Sequence, residues 1–330
     1  MQLLAASWLV RAGFIALMPS RVHSADVDRW IAVARELRAG ANPYVTTTYL
    51  NWPPLWMTVI WLLDHIARAV NVSFLLALQL FLIAVEGIVV VLLYSFLATV
   101  APKEARRIVL VAICVNPVAV LLVCQHGNFD VLVGLACLAG VLALARDARS
   151  RDAVAWLAGA LALGLGVLAK TVPLALAPLL APSVRASRPL ARALAAALFV
   201  GPALLGMAVI YALAPHAVLD NVVLYRSTEG WYGLTGIADA LSLERATAGY
   251  SKFLFPAVLA VWVAAGFVLL TQRRLAARHV ILIGALVLLA VPTLGPGYAP
   301  QYAYWWLPLL AATYPLFDRG WRRLLLGLYV

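Results

Sequence analysis

Residues 74–99 form an unbroken apolar run with a single formal charge, Glu86. A helix rising 1.5 Å per residue needs about 20 such residues to cross a hydrocarbon core. The run has company. Comparable stretches occupy 3–20, 108–124, 129–146, 153–170, 171–183, 193–213, 253–271, 279–294 and 301–317. Of the 330 residues, 65% are hydrophobic and 12% charged, against about 45–50% and about 25% in soluble domains. A water-soluble fold of this size cannot bury so much apolar surface, so lipid is the solvent for most of the chain. The expectation is one all-α, polytopic membrane domain over 1–330 with about 10 spans. The run 171–183 is short and Pro-rich, as a broken helix would be. Arg11 interrupts the first run and no small-residue cleavage site follows, so 1–20 is expected to be a retained helix rather than a signal peptide. Leu324 to Val330 resemble the opening turns of a further span, so the C-terminal end is expected to be truncated.

The net charge of +11 raises the question of nucleic acid, but a basic groove gathers its Lys and Arg on one surface. Here they fall in short clusters between apolar runs, and no nucleic-acid partner is expected. Five clusters stand out: Lys103/Arg106/Arg107, Arg146/Arg149/Arg151, Arg185/Arg188/Arg192, Arg273/Arg274/Arg278 and Arg319/Arg322/Arg323. The positive-inside rule places all five on the cytoplasmic side. The segment 53–70 must then not cross, and it is expected to lie at the outer interface. The outer loops become 21–73, 125–128, 214–252 and 295–300. They hold most of the acids, and Trp30, Trp52, Trp56, Trp61, Trp231, Trp305 and Trp306 lie in them or at that interface. Chemistry is therefore expected on the extracytoplasmic face of the cell (inner) membrane. Cys114, Cys124 and Cys137 all sit inside apolar runs without a Cys-x-x-Cys pattern, which suits helix-packing thiols. Arg11 and Glu86 fall near the middle of two antiparallel spans. Isolated charge there is costly, so the two are expected to pair.

The first outer loop opens with His23-Ser24-Ala25-Asp26-Val27-Asp28-Arg29-Trp30. An amphipathic helix follows, with Trp30, Val33, Ala34 and Leu37 on one face. Gly40 ends it, and Asn42-Pro43-Tyr44 makes a turn. Two carboxylates at i and i+2 near a membrane surface can hold a cation, or one can act as a general base. They can equally cap the helix and favour its dipole. Spacing alone does not choose.

Four motifs in order add weight. The first is the acidic stretch followed by Gly40-Ala-Asn-Pro-Tyr44 and Tyr49-Leu-Asn-Trp-Pro-Pro-Leu55. The second is Asn116-Pro117 followed by His126-Gly-Asn-Phe-Asp130. Then come Ala169-Lys170-Thr171 with Pro173, and Gly297-Tyr-Ala-Pro-Gln-Tyr302 with Trp305 and Leu307-Pro308. Together they resemble GT-C membrane glycosyltransferases, particularly the GPI mannosyltransferase I catalytic subunit and bacterial polyprenyl-phosphate-mannose-dependent mannosyltransferases. Aligned on Gly40 to Tyr44 without gaps, Asp26 falls under the second acid of the family's Asp-x-Asp and Ser24 under the first. Aligned on Asp-x-Asp itself, a gap of two is needed. Asp26 is acidic in both registers.

The resemblance implies a GT-C-type bundle that moves a hexose, with mannose the expected sugar, from a polyprenyl-phosphate donor with inversion. The acceptor would be a glycan, glycolipid or protein. Asp26, with Asp28 beside it, would supply the base. Lys170, His126 and Arg226 would hold the donor phosphate. Trp52, Tyr49, Asn128, Trp231, Gln301 and Tyr302 would contact sugar or acceptor. No cofactor is implied, and no metal is required, because cationic side chains can hold a monophosphate leaving group. Membrane lipids are the remaining partner. Two rivals stand beside this reading. One is a transporter or lipid-linked-sugar flippase, which would place polar residues along a mid-membrane path. The other is a non-catalytic assembly subunit of the same fold.

Overall fold

The computed structural model describes residues 2–18, 23–47, 50–184, 187–225, 230, 233–243, 249–317 and 320–323. Among them every regular element is helical. The chain runs through α1 (Gln2–Leu17), α2 (Ala25–Arg38), α3 (Pro43–Thr46), α4 (Pro54–Ala69), α5 (Phe74–Val100), α6 (Lys103–Val115) and α7 (Pro117–Leu121). It continues with α8 (Asp130–Ser150), α9 (Ala153–Ala169), α10 (Ala181–Val184), α11 (Pro189–Leu213) and α12 (Pro215–Val218). The last four are α13 (Gly233–Ala240), α14 (Phe255–Thr271), α15 (Ala277–Leu294) and α16 (Ala303–Thr313).

Six helical stretches among the described residues are long and apolar enough to cross a membrane: Phe74–Val100, Lys103–His126, Asp130–Ser150, Pro189–Leu213, Tyr250–Thr271 and Ala277–Leu294. Each coincides with a run expected to span. The runs 3–20, 153–170 and 171–183 give shorter apolar helices, and 301–317 is divided by 3₁₀ turns at Pro300–Tyr302 and Tyr314–Leu316. The expected truncation at 324–330 lies outside the described residues.

Contacts divide the chain into two compact units. The first comprises Met1–Leu135, Leu168–Lys170 and Ala203–Tyr225. Within it, α2 buries Val27, Trp30, Val33 and Ala34, while α4 buries Trp56, Ile60, Leu63, Asp64 and Ala67. These spacings of three, four and seven put one stripe of each helix inside. The stripe of α4 packs on α2 and α5. Its other face leaves Trp61, Leu62 and Ile66 exposed. Asp64 is buried at its polar end and held by Arg38 at 3.2 Å and Arg68 at 3.4 Å.

The expected ion pair forms. Both Nε and Nη2 of Arg11 donate to the Glu86 carboxylate, and both side chains are buried. Arg11 Nη1 also donates to Ser7 Oγ at 2.7 Å and to the Cys114 carbonyl at 2.8 Å. That carbonyl is available because the helix breaks at Asn116-Pro117. A residue before proline avoids the α region, and Asn116 sits at φ −58°, ψ 120°. Its Oδ1 then caps the new helix by accepting from Ala119 N at 3.1 Å. Farther along, residues 122–126 widen into a π turn that ends at Gly127, where φ is 62°. Gln79 Nε2 reaches across to the Cys124 carbonyl there, at 2.6 Å. The three cysteines are buried and form no disulfide, as expected of packing thiols.

The second unit comprises Ala136–Val167, Thr171–Pro202 and Arg226–Val330. Here α8 and α9 pack antiparallel, with Leu163 over Gly140 and Leu144 over Gly159. The Pro-rich run is indeed broken: Val172–Leu180 is 3₁₀ and carries Pro178 inside it. Two indoles satisfy its carbonyls, Trp262 Nε1 to Ala175 O at 2.8 Å and Trp156 Nε1 to Leu180 O at 3.2 Å. Helix α16 is buried along its whole length. Trp305 and Trp306 are therefore core residues. The same holds in the first unit for Trp30 and Trp56, each fully buried.

Candidate active site

Ser24, not an aspartate, occupies the N-cap of α2. Its hydroxyl donates away from the helix, to the His126 carbonyl at 2.7 Å. That bond ties the start of α2 to the turn 126–130. Asp26 and Asp28 follow in the first helical turn, where the helix dipole favours their charge. They are about 200° apart around the axis and have different neighbours. Asp26, one quarter exposed, meets the turn: Asn128 Nδ2 donates to its Oδ2 at 3.3 Å, and His126 Nε2 lies 3.8 Å from the same oxygen. Arg29 flanks it at 3.5 Å. Asp28 is largely exposed and bonds His23 at 2.8 Å. Neither aspartate caps the helix.

The turn itself is rigid for local reasons. Asn128 is buried, and its Oδ1 accepts from Asp130 N at 2.9 Å, starting α8. Gly127 is needed twice: its φ is left-handed, and an added Cβ would stand 3.0 Å from Val27. Lys170, which follows α9, donates to Asp130 Oδ1 at 2.9 Å and lies 5.4 Å from the Phe129 ring centroid. Beneath these groups, Phe129 stacks on Trp56 at 4.7 Å and meets Trp52 edge-on at 5.8 Å, while Trp30 packs edge-on against both tryptophans. Trp52 is half-buried. Tyr44 OH donates to the Trp52 carbonyl at 2.8 Å, and burial pushes its pKa up, so it remains a protonated donor.

Asp26, His126, Asn128, Lys170 and Trp52 are thus brought together in the first unit. Asp28 is on the same helix but points elsewhere. Gln301 and Tyr302 belong to the second unit, in the 3₁₀ turn before α16, where Tyr302 stacks on Trp305 at 4.3 Å. Tyr49, Arg226 and Trp231 lie outside the described residues. The sequence reading overlooked Asp130 as the partner of Lys170, although an αα-hairpin brings the start of one helix beside the end of the next. It also overlooked Ser24 as a tether, which a capping position disguises.

His126 Nε2 is buried and has no hydrogen-bond partner among the described residues. It lies 3.8 Å from Asp26 Oδ2, slightly too far for a direct bond, so one polar atom seated beside both can bond the two. No three His, Cys, Asp or Glu side chains among the described residues are grouped to hold a metal ion. Compared with models of known protein families and with curated protein sequences, the chain matches none.

Proposed function

We propose that the chain is a membrane glycosyltransferase of GT-C type, with the six long helices and the shorter apolar ones together making about 10 spans. It transfers a hexose, mannose first, from a polyprenyl-phosphate donor to an acceptor on the extracytoplasmic face. The observation that carries this reading is the gap between Asp26 and the unbonded His126 Nε2. An acceptor hydroxyl seated there donates its proton to Asp26 and accepts from the imidazole in its Nε2–H tautomer. As the new bond forms at the anomeric carbon, Asp26 takes the proton, and the lipid phosphate leaves from the opposite face. Lys170 is the cation nearest the same turn. Its ammonium, paired with Asp130, would meet the phosphate oxygens of the donor.

The test incubates membranes carrying the full chain with radiolabelled polyprenyl-phosphate mannose, then with polyprenyl-phosphate glucose, and identifies the labelled product. Asp26→Asn keeps the side-chain shape but cannot take the proton. Transfer should fall by roughly 10²–10⁴-fold, with expression and thermal unfolding unchanged. Near-wild-type turnover would remove Asp26 as the base, and no labelled product with either donor would remove the reaction.

A further inference from the structure

The second unit contains a cavity of about 750 Å³ that the catalytic proposal does not use. It lies where four apolar helices begin or end: the last turn of α8, the first turns of α9 and α11, and the segment after α14. Ends of membrane-spanning helices mark the depth of lipid headgroups. Three of the basic clusters contribute Arg151, Arg188, Arg273 and Arg274 to its wall, and the sole carboxylate there is Asp147.

That acid does not neutralise the arginines. Asp147 is buried and bonded by the Ser183 hydroxyl. Nearby Asp152 is also engaged, pairing with Arg146 at 3.0 Å and capping α9 through Val154 N and Ala155 N. Among the described residues no carboxylate pairs with any of the four arginines. Arg151 is moreover fixed at φ 53°, a left-handed conformation unusual outside glycine, by a turn whose N–H closes on the Asp147 carbonyl. Four arginines line one concavity without a carboxylate among their ion-pair partners, and guanidinium forks match phosphate oxygens.

The occupant also has an apolar part. The indole of Trp156 and several alanines complete the wall, and the volume is many times that of a phosphate group. A free anion would leave most of it to water. We propose that the cavity binds the phosphate of an anionic lipid, with guanidiniums on the headgroup and the apolar wall against the glycerol and upper acyl chain. The positive-inside rule puts these clusters on the cytoplasmic side, where anionic lipids are concentrated. The proposal rests on the membrane character of the chain and not on glycosyl transfer, so either can fail without the other.

The test uses the purified full chain in neutral detergent, with native mass spectrometry counting bound lipid. The probes are dioleoylphosphatidylglycerol, dioleoylphosphatidylcholine and inorganic phosphate. The wild type should retain phosphatidylglycerol in preference to phosphatidylcholine. The Arg188→Gln/Arg273→Gln variant should lose roughly thirty-fold in that affinity, from two charges. Arg188→Lys/Arg273→Lys should keep most of it, separating lost charge from lost fold. Arg106→Gln/Arg107→Gln removes two charges from a cluster that does not line the cavity and should leave binding unchanged. Equal binding of phosphatidylcholine, or equal loss in the Arg106/Arg107 variant, would overturn the site. Displacement by equimolar inorganic phosphate would reassign it to the free anion and overturn the lipid proposal.

Discussion

Two aspartates with one residue between them meet different neighbours when a helix turns them about 200° from each other. Asp28→Asn removes an exposed partner of His23, and we expect transfer to fall less than tenfold, against at least a hundredfold for Asp26→Asn in the same assay. A reversed order would move the base to Asp28. Arg11 and Glu86 call for a different measurement. Breaking a buried pair from one side strands the other charge, at a cost of about 3–5 kcal/mol. Arg11→Met and Glu86→Gln should each lower thermal stability in detergent by amounts of that order, and the double change should cost less than their sum. Strict additivity would show that the two side chains are held by other neighbours. Asp26 was legible in the sequence because a motif marked it. Its partners were legible only as a separate motif, because Asn128 lies 102 residues away and no local pattern links the two.

At the scale of elements, four stray carbonyls at irregular helix segments each have a side-chain donor among the described residues. Arg11 serves Cys114, Gln79 serves Cys124, Trp262 serves Ala175 and Trp156 serves Leu180. Water does this elsewhere, but a hydrocarbon core has none to offer. Gln79→Leu keeps the bulk and loses the donor, while Trp262→Phe loses the donor and one ring, so each should destabilise by about 1–3 kcal/mol or more. Leu80→Ala, on the exposed side of α5, should change stability by less than about 0.5 kcal/mol. Thermal unfolding in one detergent compares all three, and losses no larger than that of Leu80→Ala would mean these bonds are dispensable. The sequence disclosed the break in the Pro-rich run 171–183, but it ran 108–124 as one span across the break at 116–117. It was silent on the π turn at 122–126, because a π turn leaves no compositional mark.

For the whole molecule, hydropathy disclosed the solvent and blurred the boundaries. The stretch Tyr250–Thr271 has only 6% of its apolar window buried, whereas α16 is covered on all sides. Both are apolar all round, and composition cannot tell a helix facing lipid from one facing protein. The burial of Trp305 and Trp306 is therefore not legible from hydropathy. The ion pair has a further consequence, in manufacture. Arg11 and Glu86 are 75 residues apart. A ribosome adding roughly 5–20 residues per second reaches Glu86 about 4–15 s after Arg11. Until then the first helix carries an unmatched charge and has poor grounds to leave the insertion machinery for lipid. In cell-free translation with membranes, the wild-type first helix should become protease-protected only after residue 86 emerges, and Glu86→Leu should leave it accessible. Equal protection in the two would mean that it enters alone. Otherwise the order of assembly is written into the chain: the first helix made is not the first helix delivered.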